Sequence, residues 1–86
     1  MQGEFGKFIE QRRKSQGITL RGLAAELSIA PAFMSDIEKG HRYPPNKEKL
    51  NELTRILRLS EDDTNKMFDT IYNEAYGNNT NNNLPQ

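Results

Sequence analysis

An all-α fold, a bundle of five short helices, is the class this chain predicts, and three observations carry it. Apolar residues recur at three- and four-residue spacing through most of the first 76 positions, the period of a helix that buries one face. Thr19, Pro31, Asn46 and Ser60 stand just ahead of these stripes, where helices start. No segment shows the alternating, β-branched pattern of a strand.

The first helix is expected from about Gln2 to Gln16, with Phe5, Phe8 and Ile9 on its buried side and Gly17 as its stop. Thr19 caps a second, whose inner stripe is Leu20, Leu23, Ala24 and Leu27. A third begins near Pro31, because proline lacks an N–H that the first helical position leaves unpaired anyway, and ends before Gly40. Met34 and Ile37, three apart, point inward and leave Ala32, Phe33, Ser35 and Asp36 more outward. Asn46 caps a fourth helix after Pro44 and Pro45, with Leu50, Leu53, Ile56 and Leu57 as its apolar face. A fifth follows Ser60, where Ser60 to Asp63 approximates a capping box with Asp in place of Glu or Gln. Its stripe is Met67, Phe68, Ile71, Tyr72, Ala75 and Tyr76. The domain is thus expected over residues 1–76, with core helices at about 2–59 and an extra helix at about 61–76. Residues 77–86, polar and rich in Asn, read as a disordered tail or linker. Leu84 and Pro85 can begin a further element, so a C-terminal domain beyond Gln86 is compatible with the sequence.

Eighty-six residues suffice for one domain with a modest core. No apolar run approaches the roughly 18 residues of a membrane span, and the start, MQGEFGKFIEQRRK, lacks the apolar stretch of a signal peptide. Cysteine is absent, which excludes disulfides, thiol nucleophiles and thiolate metal sites. The single histidine, His41, has no obvious acid–base partner, there is no glycine-rich phosphate loop, and no nucleophile stands with its base. The expectation is a cytoplasmic protein without membrane contact, catalytic residues, metal or cofactor. The formal net charge is zero but unevenly spread. Residues 1–59 carry eleven Lys and Arg against seven Asp and Glu, a net of +4, and residues 60–86 carry one against five, a net of −4. Because screening limits such fields to about 8 Å at physiological salt, the basic part can act on phosphate locally.

Residues 19–45, TLRGLAAELSIAPAFMSDIEKGHRYPP, hold the most specific signal. Two short helices joined by a tight turn, then a glycine stop and a prolyl loop, make the layout of a helix-turn-helix. The stretch FGKFIEQRRKSQGITLRGLAAELSI followed by APAFMSDIEKGHRYPP resembles the Cro/repressor-type (XRE) family of bacterial and phage regulators. Leu23, Ala24, Ser35, Ile37, Glu38, Gly40, Arg42 and Pro44 fall in register with that family's pattern, over about residues 5–59. The helix of residues 61–76 is similar to the extra helix some members carry, and the last ten residues match nothing.

The resemblance implies a lambda-repressor-like fold and a sequence-specific transcriptional regulator that inserts its third helix in the major groove. Its expected partner is double-stranded DNA, bound as a homodimer. Pro31, Ala32, Phe33, Ser35 and Asp36 would face the bases. Thr19 at the start of the second helix, and Lys39, His41, Arg42 and Tyr43 in the loop after the third, would lie near phosphates. Arg21 and Lys47 join them as neighbouring polar or basic positions. Arg13 and Glu38 would form a partly buried structural ion pair.

The chemistry of these residues constrains the picture. Guanine and adenine are usually read by Arg, Lys, Asn or Gln in bidentate contact, which Pro31 and Ala32 cannot supply. Ala32 and the Phe33 ring can touch thymine methyls, Ser35 can donate or accept, and Asp36 can accept from a cytosine amine. Asp36 is equally a solvated residue, or one that rejects wrong sites by charge. Phe33 either contacts the groove or packs over the turn between helices two and three. Leu20 stands where the family often has Gln, and Arg12 where it usually has an apolar core residue, so Arg12 either shifts the packing or snorkels. Lys7, Lys14, Lys49, Arg55 and Arg58 read as surface. The stripe of the fifth helix, with Tyr72 and Tyr76, is the expected dimer contact, against plain packing on helices one and four. A second reading, from another class, is a protein-interaction module that keeps the fold but has lost strong DNA binding. Neutral charge, Pro31, Ala32 and Leu20 favour it.

Overall fold

The computed structural model describes residues 3–77. The Asn-rich stretch from Asn78 onward, with the expectations placed on it, lies outside the described residues. Five α-helices follow in order: α1 Glu4–Ser15, α2 Leu20–Glu26, α3 Pro31–Glu38, α4 Lys47–Ile56 and α5 Glu61–Tyr72. Among the described residues there is no strand. The α-helix stops at Tyr72 and the chain continues as a π-helical turn, Asn73–Gly77. That turn accompanies a tertiary contact, since the Glu74 carboxylate accepts from the backbone amides of Glu4 and Phe5. α1 is described from Glu4, with Glu74 serving the amides that its own N-cap, Gly3, cannot.

Three helix starts use side chains. Thr19 Oγ1 accepts from the Gly22 amide at 2.9 Å, Asn46 Oδ1 from Lys49 at 2.9 Å, and Ser60 Oγ from Asp63 at 3.0 Å. Only one half of the expected capping box at Ser60 is recorded, because the Asp63 carboxylate turns to Arg12 instead. Four helix ends share another device, a left-handed residue followed by an amide that reaches back along the last turn. The left-handed residues are Gly17, Ser28, Gly40 and Arg58, with φ of 73°, 60°, 81° and 55°. The amides of Ile18, Ile29, His41 and Leu59 then donate to Arg13, Ala24, Asp36 and Thr54 carbonyls at 2.8–3.1 Å.

The core joins all five helices: Phe5 and Ile9, then Leu23, Ala24 and Leu27, then Met34 and Ile37, then Leu50, Leu53 and Leu57, then Met67. Phe8, Leu20, Ile56, Phe68 and Ile71 pack half-buried around it. α1 crosses α3 at very close range because Gly6 has no side chain. A Cβ there would lie 2.5 Å from the Ile37 carbonyl oxygen and closer still to that of Glu38. This approach lets a residue near the C-terminal end of α1 reach the end of α3, which positions the face described next.

Candidate nucleic-acid interface

The α2–α3 turn is set by Leu27 and Ser28. Leu27 is buried and closes α2, while left-handed Ser28 lets the Ile29 amide return to Ala24. Lys49, expected as plain surface, donates from Nζ to the Leu27 carbonyl at 2.6 Å, tying α4 to the end of α2. Pro31 then occupies the first turn of α3. Met34, Ile37 and Glu38 turn inward and are buried. Ala32 is exposed, and Pro31, Phe33, Ser35 and Asp36 are half-buried. The five expected base-facing residues thus share the outer side of one eight-residue helix.

Glu38 does not add its charge to that side. Arg13 meets it side-on, Nε to Oε2 at 2.7 Å and Nη2 to Oε1 at 3.0 Å, and donates from Nη1 to the Ile18 carbonyl at 3.0 Å. Both residues are buried. The Glu38 carboxylate raises the Arg13 guanidinium above its ordinary range, burial opposing it. Each of the three guanidinium nitrogens thus has an acceptor, and the fork onto Glu38 is of the charge-assisted, bidentate kind.

The outer side of α3 carries a second charge pair that connects to the loop behind it. Asp36 lies 3.4 Å from Arg42 Nε and 3.9 Å from His41 Nδ1. The Arg42 guanidinium carbon sits 4.5 Å from the centroid of the Phe33 ring, a cation–π distance. The Phe33 ring packs against the core edge and also carries Arg42. Asp36 is a paired residue rather than an isolated solvated acid.

The expected phosphate neighbours face solvent. Thr19, Arg21, Lys39, His41, Arg42, Tyr43 and Lys47 are all exposed, Tyr43 to 92 %. Arg12 neither shifts the core nor simply snorkels. It bonds Asp63 at 2.9 Å through Nη2 and lies 5.1 Å from the Phe8 ring, pinning α5 to α1. On α5, Met67 is fully buried and Phe68 and Ile71 pack on the core, while Tyr72 is 62 % exposed. The Tyr76 side chain lies outside what is described. Among the described residues no group of three or more His, Asp or Glu can hold a metal ion, and no helix is long and apolar enough to cross a membrane.

Fold and site together define a helix-turn-helix domain, and residues 4–67 match the family model of that description. The chain belongs to this family, in its Cro/repressor-type (XRE) branch with the lambda-repressor-like fold of DNA-binding regulators. Endothelial differentiation-related factor 1 of Homo sapiens is 38% identical over 56 residues, 65% of this chain and 37% of that protein. Its Gallus gallus homolog is 35% identical over 69 residues, 78% of this chain and 46% of that protein. The chain thus spans less than half the length of these relatives. Among solved structures, the clp gene regulator ClgR of Corynebacterium glutamicum superposes with a TM-score of 0.66 at 23% identity, covering 88% of this chain and 81% of that one. The biofilm master regulator SinR, in complex with DNA, superposes with a TM-score of 0.64 at 28% identity, covering 76% of this chain and 98% of that one.

Proposed function

We propose that this chain is the DNA-binding domain of a sequence-specific transcriptional regulator, acting in the cytoplasm by occupying an operator in the manner of a repressor. α3 enters the major groove with Pro31, Ala32, Phe33, Ser35 and Asp36 toward the bases. Thr19, Arg21, Lys39, His41, Arg42, Tyr43 and Lys47 flank it toward phosphates, and no catalytic step is needed. The observation that carries the reading is the pairing of an outward, partly exposed side of α3 with an exposed basic loop, while Arg13 neutralises buried Glu38 beneath. The SinR neighbour, a regulator complexed with DNA, supports it. A single small domain with few base-reading groups binds weakly, so two copies act on half-sites about 34 Å apart, one helical turn.

The alternative, a protein-interaction module on the same fold, is favoured by Pro31 and Ala32, which offer no hydrogen-bonding side chain to a base. Binding to random duplex DNA at about 50 and 200 mM salt separates the two. Each phosphate contact steepens the log–log slope by about 0.9, so a DNA binder with several contacts weakens steeply. A flat response, or none at the lower salt, removes the regulator reading.

A further inference from the structure

The outer side of α3 lacks Arg, Lys, Asn and Gln altogether, yet a guanidinium lies on it. It belongs to Arg42, four residues past the end of α3 in the loop. We infer that Arg42, stacked on Phe33 and steered by Asp36, is the residue that reads a guanine in the major groove, rather than one more phosphate neighbour. This rests on the regulator reading above and says which residue supplies its specificity.

Phe33 and Asp36 are three residues apart on one helix, so their side chains neighbour each other on the same side. Arg42 reaches back to both, 4.5 Å from the ring centroid and 3.4 Å from the carboxylate. Two contacts at different points restrain the guanidinium over α3, where a phosphate contact needs only a charge within reach. Asp36 faces Nε at 3.4 Å as an ion pair, and the terminal nitrogens Nη1 and Nη2 form a fork of the kind that fits guanine O6 and N7. Arginine serves here and lysine does not, because stacking and bidentate donation both need the flat, weakly hydrated guanidinium. Asp36 then has a positioning role. Its own repulsion of phosphate is offset by the cation it holds, which explains an acid on a face meant for DNA.

Selection of bound sequences from a random duplex pool, followed by titration of the selected site and of its single-base variants, tests this. For the wild-type chain each half-site contains one guanine whose replacement weakens binding by roughly 5- to 150-fold, the range for a good bidentate pair. Arg42→Lys keeps the charge and loses that discrimination. Phe33→Ala reduces the discrimination less. The inference is overturned if Arg42→Lys retains the guanine preference. It is equally overturned if Arg42→Ala weakens all sequences alike and lowers the slope by about 0.9, the signature of a phosphate contact. Failure of the wild-type chain to bind any duplex removes the regulator reading as well, so the two failures are distinguishable.

Discussion

Arg13 and Glu38 meet as a two-bond fork, at 2.7 and 3.0 Å, between the last turn of α1 and the last residue of α3. Neither charge is open to water. Removing one partner strands the other, which costs about 3–5 kcal/mol for a buried pair. Arg13→Ala and Glu38→Ala should each lower stability by this amount in urea denaturation. Arg13→Lys should recover little, since an ammonium cannot span both carboxylate oxygens and the Ile18 carbonyl. A double-mutant cycle closing near zero would show that the two act independently.

Arg12, one residue earlier, should behave oppositely. Its bond to Asp63 joins side chains that are about one third exposed, and its Nε is buried without a hydrogen-bond partner among the described residues. An unsatisfied buried donor costs about 1–3 kcal/mol, which offsets most of what the ion pair contributes. Arg12→Met is expected to keep stability within about 1 kcal/mol of wild type. A loss like that of Arg13 would mean the α1–α5 link is carried by this one bond.

Ser28 and Arg58 hold left-handed backbone at φ 60° and 55°, where a Cβ costs about 1–2 kcal/mol. Glycine removes that strain at the expense of roughly 0.5–1 kcal/mol of unfolded-state entropy. Ser28→Gly and Arg58→Gly should therefore each stabilise by about 0.5 kcal/mol, seen as a higher urea midpoint at unchanged slope. Destabilisation at Ser28 would show that its side chain supports the α2–α3 turn.

The Lys14 ammonium, 3.0 Å from Glu10, lowers the Glu10 carboxyl below its usual value, chiefly through their hydrogen bond. A lowered folded value stabilises above the ordinary carboxylate range, and that gain is lost as pH falls through the folded value. The pair is largely exposed, so solvent and salt hold it to about 0.3–0.5 kcal/mol. Glu10→Gln should lower stability by that much at neutral pH and low salt, and match wild type below the folded value. An equal loss at both extremes would assign the effect to something other than charge.

The expected helix starts at Thr19, Pro31, Asn46 and Ser60 all appear in the structure, because the three side-chain caps act within three residues of chain and proline suits the first turn by its own backbone. The stripes of Leu23, Met34, Ile37 and Leu53 were legible for the same reason, the helical period being a local property. What escaped depends on contacts between distant positions. Gly6 matters only because α3 crosses it. Lys49 reads as surface until Leu27 is placed 22 residues away in sequence and within reach. The stacking of Arg42 on Phe33 requires the loop to double back over α3, and no spacing rule marks that. Ser28 and Arg58 hid their left-handed turns because the usual glycine signal was missing.

Glu74 supplies the most distant of these contacts, and it yields a sharp test. Its carboxylate accepts from the first two amides of α1, some seventy residues away, at the helix end where negative charge is favoured. The cap closes the ring α1–α3–α5 by a route other than the core. Glu74→Ala should cost about 1 kcal/mol, the usual value of an N-cap, and speed hydrogen exchange at Glu4 and Phe5 with little change at Ile9. Glu74→Gln keeps an acceptor oxygen but not the charge, so it should fall between Ala and wild type. Unchanged exchange at Glu4 and Phe5 in the Ala variant would mean water serves those amides as well, and that the π-helical turn at 73–77 owes nothing to the cap.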